Sequence, residues 1–238
     1  MIFNKEKQYN FKEKGRFEVD INIKMTALED PFTEVPPAKE MIVFLRQHIG
    51  AQTKFLLNEG DSVQYGQTIG DDPEGSSLVA PIHSPVNGKI IELKKMRHPE
   101  SGKKEDAVII ETTDNNKKPF FNPIEFKTTS KEKLLDRVRE AGIVGLGGAS
   151  FPTYFKLSLA KKISHLIINA KESDPNVACD CRLMIEKPKA IINGIKIMAK
   201  ILEVDNIIVA TRTQEDETPE FEAELRDNDI ELKRMHPN

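Results

Sequence analysis

The sequence predicts two kinds of domain in series: a small all-β module, then an α/β unit built on a parallel sheet. Three observations predict this. Between residues 36 and 115, short apolar runs alternate with turn signals at close spacing, the pattern of a small sandwich or barrel. At residue 129 the apolar spacing becomes helical. Beyond it, apolar runs at 165–170, 206–211 and 230–235 alternate with helical patterns, as parallel strands joined by helical crossovers do.

The elements follow in order. Residues 1–35 are charged and weakly patterned and read as an extended N-terminal arm, closed by Val35-Pro36-Pro37. In the β module, 41–45, 54–57 and 107–111 are strand-like runs. Glu59-Gly60-Asp61 is a turn, and Asn87-Gly88 is a hairpin signal between Pro85-Val86 and Lys89-Ile90-Ile91. Residues 116–128 form a linker that packs, since Phe120 and Phe121 are otherwise exposed. Thr129-Ser130-Lys131-Glu132 reads as a capping box, with Leu134, Leu135, Val138 and Ala141 on one helical face and Gly142 as the stop. Pro152 suits the first turn of a second helix ending near Lys162. Residues 165–170 read as a continuously buried parallel strand. Residues 188–202 form a helix with Ile191, Ile192, Ile195, Met198, Ala199 and Leu202 on one face, and 220–226 a shorter one.

Composition narrows the function. The chain has 238 residues and a formal net charge of -3, so it lacks the basic field that nucleic-acid binding demands. No apolar run approaches the ~20 residues of a membrane span, and residues 1–10 lack the apolar core of a signal peptide. The expected location is the cytoplasm. The two cysteines, Cys179 and Cys181, are one residue apart, an unfavourable spacing for a redox pair, and read as buried or semi-buried helix residues. A four-cysteine iron–sulfur cluster cannot be held by this chain alone. His48, His83, His98 and His236 have no partners at metal-ligand spacing and read as surface or structural residues.

Two loops carry chemistry. Gly145-Leu146-Gly147-Gly148-Ala149-Ser150-Phe151-Pro152-Thr153 is a glycine-rich turn entering a helix. Such turns bring backbone amides close to a ligand, and a helix start favours phosphate; Lys156 adds charge one turn on. A tight helix–helix connection gives the same residues, and a helix rather than a strand precedes the glycines, unlike a dinucleotide fingerprint. Asn169-Ala170-Lys171-Glu172-Ser173-Asp174-Pro175 lies past the carboxyl end of an apolar strand, where open α/β sheets bind ligands. A polar loop capping the next helix is the alternative.

The β module has a signature of its own. Glu59-Gly60-Asp61, Val63, Gly66-Gln67, then Ser84-Pro85-Val86 and Gly88-Lys89-Ile90 resemble the biotinyl/lipoyl barrel-sandwich hybrid. Carriers of that kind bear a modified lysine between the two halves; residues 67–80 contain no lysine, so the module reads as a docking or scaffold unit.

Further motifs run in order: Pro36-Pro37 with Lys39-Glu40, Gln47-His48-Ile49-Gly50-Ala51, His98-Pro99 with Ser101-Gly102-Lys103-Lys104, residues 142–149, Phe151-Pro152-Thr153, and Asp180 with Arg182-Leu183-Met184. Across roughly residues 15–238 the chain resembles the N-terminal part of the RnfC family, the C subunits of Rnf electron-transport complexes. More distantly it is similar to the FMN- and NADH-binding subunit of respiratory complex I. The resemblance implies a barrel-sandwich hybrid at 36–115, then a Rossmann-like FMN/NADH-binding domain at 129–238, cut short of the family's full length. It implies FMN as cofactor and NADH as substrate. Gly145, Gly147, Gly148 and Lys156 would face the FMN phosphate and ribityl chain. Asn169, Glu172 and Ser173 would lie near the flavin ring, and Phe151 and Asp174 near the nicotinamide nucleotide. Partners would be Rnf-type electron-transfer subunits or an iron–sulfur protein, with attachment to the inner face of the cell membrane through those partners. The chain would then be an NADH-dependent oxidoreductase component.

The chain departs from the family at Ser150, where glycine is usual, and at Lys171, where a small or acidic residue is usual. The family also continues into a further flavin-contacting segment, a ubiquitin-like module and cysteine-rich cluster motifs, so a shortened form, or parts carried on another polypeptide, is expected. Two other functions stay open. One is an interaction scaffold that has lost the cofactor; the other is an electron-transfer component of a proline or cobalamin reductase.

Overall fold

The computed structural model describes residues 10–12, 16–18, 30–72, 74–75, 78–114, 118, 120–146, 150–159, 163–171, 177–211 and 218–235. The chain divides into two compact units. One comprises residues 34–164 and 196–205; the other comprises 1–33, 165–195 and 206–238.

The β module is built from two sheets. Strands β3 (Glu40–Phe44), β5 (Ser62–Val63), β8 (Asn87–Arg97) and β9 (Lys104–Asp114) form one, in the order β3-β9-β8-β5. Strands β4 (Lys54–Phe55), β6 (Thr68–Asp71) and β7 (Ile82–His83) form the other, in the order β4-β6-β7. Every pairing in them is antiparallel. Val43, Leu45, Val63, Ile69, Ile82, Val86, Ile90, Val108 and Ile110 are buried together as the core. Full burial of one such side chain is worth about 1.5–3 kcal/mol. His48 is a buried structural residue: its Nε2 accepts from the Ala80 amide at 3.0 Å, and its Nδ1 lies 2.9 Å from the Ile49 carbonyl.

Asn87-Gly88 is not the hairpin turn that its sequence suggests. Both residues open the long strand β8, and the hairpin joining β8 to β9 lies at residues 98–103. The Asn87 side chain is occupied, accepting from the Tyr65 amide at 2.7 Å and donating to Asp114 Oδ1 at 2.7 Å. Gly88 serves a crossing rather than a turn. A Cβ there would stand 2.4 Å from the Glu111 carbonyl oxygen and 2.7 Å from Ile110 Cγ2.

Helices α1 (Lys131–Glu140) and α2 (Thr153–Leu159) belong to the same unit. The cap of α1 is shifted by one residue from the expected box. Thr129 spends its hydroxyl on the Glu125 carbonyl, so Ser130 becomes the N-cap and accepts from the Lys133 amide. Leu134, Val138 and Ile201 are buried together with Phe126, Tyr154, Leu157 and Ile197 beside them. The linker packs here only in part: Phe120 stays 44% exposed, whereas Lys200 Nζ lies 4.9 Å from the Phe126 ring centroid and donates to the Phe126 and Lys127 carbonyls at 2.8 and 3.0 Å. The expected end of α2 near Lys162 lies outside the described residues.

The second unit holds a three-stranded sheet of β10 (Leu166–Ala170), β11 (Ile207–Thr211) and β12 (Glu231–Arg234), parallel throughout, in the order β10-β11-β12. Its helices are α3 (Cys179–Glu186), the first part of α4 (Pro188–Leu202) and α5 (Pro219–Asp227). Val209, Phe221, Leu225, Met184, Ile192 and Ile195 are buried. β10 is not continuously buried as its apolar run suggests. It borders the sheet, and alternate residues face outward, with Ile167 64% exposed. Cys181 is buried and Cys179 exposed, both on α3. In the N-terminal arm, β1 (Asn10–Lys12) pairs antiparallel with β2 (Arg16–Glu18), a short hairpin that the weak patterning did not announce.

Replacing Gly88 by Ala is expected to cost about 1–3 kcal/mol through overpacking. Gly194, inside α4, has open space around it, so Gly194→Ala is expected to gain about 1 kcal/mol of helix stability. Denaturant midpoints of the two variants should therefore move in opposite directions.

His83 yields a pH prediction. Burial pushes its imidazole below the ordinary range, ahead of opposing pulls from the Glu140 carbonyl and the Asp71 carboxylate. The unfolded chain therefore takes the proton first, so the stability this group contributes is complete above its ordinary pKa of about 6.5 and lost as pH falls toward the folded value. Unfolding midpoints compared between about pH 7 and pH 5 should decline less in His83→Gln than in the parent.

Candidate functional site

The glycine-rich segment begins where α1 ends. Gly142 takes a φ of 64°, donating its amide to the Arg139 carbonyl at 2.8 Å while the Ile143 amide reaches the Val138 carbonyl at 3.4 Å. This is a Schellman stop, which needs a residue without a Cβ. The chain then folds back on itself. Val144 and Pro152 form an antiparallel bridge, Thr153 donates to the Ile143 carbonyl at 2.9 Å, and Gly145 donates to the Phe151 carbonyl at 3.0 Å. The two described flanks of the loop, 143–145 and 151–153, are thus pinched together at its base.

Pinching changes what Gly145 does. Its amide is committed to Phe151, so it closes the loop, and a phosphate would have to draw donors from other residues. Leu146 is wholly exposed. Phe151 is half-buried, its ring centroid 6.0 Å from that of Phe155. Lys156 stands exposed on α2. Ser150 has a φ of 49°, in the left-handed region that a residue bearing a Cβ seldom adopts. Ser150 therefore carries a Cβ in a conformation that glycine adopts without strain.

In the second unit Asn169 is exposed near the carboxyl end of β10, directly opposite Ala210 of β11. Its Oδ1 accepts from the Lys171 amide at 3.1 Å, turning the chain as it leaves the sheet. Ala170 and Thr211 end their strands side by side, joined by the Thr211 hydroxyl donating to the Ala170 carbonyl at 3.1 Å. The buried Thr211 was not singled out from sequence, since one hydroxyl at a strand end carries no spacing signal.

Of the expected site residues, Gly145, Phe151 and Lys156 share one helical hairpin, and Asn169 belongs to the other unit. Gly147, Gly148, Glu172, Ser173 and Asp174 lie outside the described residues. Among the described residues, no group of three or more His, Cys, Asp or Glu side chains is arranged to hold a metal ion. Nor is any described helix long and apolar enough to cross a membrane.

Comparison with known proteins accounts for both parts of the chain. Residues 20–115 match the RnfC barrel sandwich hybrid domain, and residues 138–236 match the Nuo51 FMN-binding domain. Together the two define a class, the electron-transport oxidoreductase subunits in which such a hybrid precedes an FMN-binding-type domain. Within that class the chain is similar to the RnfC family. The C subunit of the ion-translocating oxidoreductase complex of Haemophilus influenzae (strain ATCC 51907 / DSM 11121 / KW20 / Rd) is 35% identical over 221 residues, covering 89% of this chain and 26% of that protein. Its counterpart in strain PittEE is also 35% identical over 221 residues, covering 89% of this chain and 33% of that protein. The chain therefore spans about a quarter to a third of the length of the curated relatives it matches. A solved NAD+-reducing [NiFe]-hydrogenase in the air-oxidized state aligns at a TM-score of 0.39 with 27% identity, over 44% of this chain and 20% of that one.

Ser150→Gly should remove the left-handed penalty and raise stability by about 1 kcal/mol. Ser150→Val should lower it, and chemical denaturation of the three proteins checks the order.

Proposed function

We propose that this chain is an FMN-binding electron-transfer module of the RnfC type, drawing on NADH and passing electrons to an iron–sulfur protein or other Rnf-type subunits. The observation that carries the reading is the match of residues 138–236 to an FMN-binding domain, a span that includes the pinched loop and the parallel sheet. Beside the loop, an exposed cation at Lys156 and a half-buried aromatic ring at Phe151 suit such a ligand.

FMN, when bound, accepts a hydride and releases electrons singly, and the protein's part is to bind and orient it. On this reading Gly145 holds the loop closed through its bond to Phe151. Gly147 and Gly148 allow close approach of the backbone, and Lys156 meets the phosphate. Asn169, Glu172 and Ser173 serve the ring system, and Phe151 and Asp174 serve the nicotinamide nucleotide. The Rossmann-like character of residues 129–238, their division from a hybrid at 36–115 by a linker at 116–128, and an arm at 1–35 belong to the same proposal. So does residence in the cytoplasm, at the inner face of the cell membrane through partner subunits.

A second reading is a scaffold without cofactor. It is favoured by Ser150 in the place of a glycine and by the committed amide of Gly145. The two readings separate in a visible absorption spectrum of the purified protein with added FMN, followed by NADH under anaerobic conditions. The flavoprotein reading expects retained flavin absorbance that bleaches with NADH, and its loss in Gly147→Leu at an unchanged unfolding midpoint. Absence of flavin uptake at saturating FMN would leave the scaffold reading.

A further inference from the structure

We infer that Arg139 is a positioning residue through which the hybrid sheet sets the glycine-rich loop, and that Asp71 is its anchor. Arg139 lies in the last turn of α1, shortly before the loop. Its guanidinium grips the Asp71 carboxylate with two hydrogen bonds, Nη2 to Oδ1 at 2.8 Å and Nη1 to Oδ2 at 3.3 Å. The same guanidinium carbon stands 5.8 Å from the ring centroid of Tyr154, on α2. One side chain therefore touches β6, ends the helix before the loop and faces the helix after it.

The rest of this junction agrees. His83 of β7 donates its Nε2 hydrogen to the Glu140 carbonyl at 2.9 Å, satisfying one of the carbonyls that a helix end leaves open. Gly142 passes so close to the sheet that a Cβ would meet the Pro81 carbonyl oxygen at 2.3 Å and His83 Cε1 at 3.0 Å. The Phe121 and His83 rings meet in a T-shaped contact with centroids 5.6 Å apart, and the Arg137 guanidinium carbon lies 5.5 Å from the Phe121 ring centroid. The end of α1 is thus registered on β6 and β7 by a fork, a hydrogen bond and a steric fit.

An ordinary surface ion pair contributes little and tolerates either cation. This pair is different in kind, because its side chains are 30% and 18% exposed and its geometry uses both a planar fork and a ring contact. Lysine would keep the charge and lose both features. A hybrid with no lysine in residues 67–80 thereby gains a different role, in which the end of β6 fixes where the loop begins.

The consequence for cofactor affinity rests on the FMN reading, so the test has two readouts. Hydrogen exchange in the full chain without ligand follows the Gly145 and Thr153 amides, whose bonds close the loop, with the Ile110 amide of β9 as reference. FMN titration gives affinity. Arg139→Lys, Asp71→Asn and the double variant are each expected to speed exchange at Gly145 and Thr153 about tenfold, leave Ile110 unchanged, and raise the FMN Kd about tenfold, with the double no worse than either single. Unchanged exchange and Kd in Arg139→Lys would overturn the inference, as would equal acceleration at Ile110. Accelerated loop exchange in a protein that takes up no FMN would uphold the positioning role and overturn the flavin reading instead.

Discussion

The pairing of β8 with β9 is the constraint on which the first unit depends. Each strand is eleven residues long, and their ribbon supplies Ile90, Val108 and Ile110 to the core. β3 adds along β9 and β5 along β8, so the ribbon fixes the register of the whole larger sheet. The smaller sheet closes over that core with Ile69 and Ile82. It is the outer residues of the smaller sheet, Asp71 and His83, that hold the end of α1. A chain of contacts thus runs from a buried ladder to the start of the glycine-rich loop.

Much of the fold was legible because its signals are local. Residues 188–202 read as a helix from a proline at the start and an apolar stripe at helical spacing, and α4 has those bounds. The three parallel strands stood out as apolar runs between helical patterns. Misreadings arose where a local signal competes with a distant partner. Asn87-Gly88 has the composition of a turn, yet cross-strand bonds to Tyr65 and Asp114 draw it into a strand. The run at 166–168 is apolar, but its place at the sheet's border exposes Ile167, a fact of topology that periodicity cannot carry.

The site was legible to a lesser degree, for the same reason. Glycines and a lysine at short spacing marked the loop, and the Gly142 stop marked where it starts. The commitment of the Gly145 amide to Phe151 was not visible, since it depends on the chain folding back at Val144 and Pro152. Asp71 and Arg139 are 68 residues apart and carry no shared motif, so only the folded chain joins them. Ser150 was noticed as a departure in residue type. Its left-handed backbone adds that the position holds a conformation glycine would adopt with less strain.

Asn87 has a chemical consequence beyond its hydrogen bonds. An Asn-Gly step in an open chain is prone to deamidation, because the unhindered glycine nitrogen attacks the side-chain carbonyl to form a succinimide. In this fold the carbonyl oxygen accepts from Tyr65, the side-chain nitrogen donates to Asp114, and the backbone is extended at the start of β8. Cyclisation requires that grip to be released. The accumulation of aspartate and isoaspartate at this position during storage therefore acts as a slow clock, counting how often the edge of the ribbon comes undone.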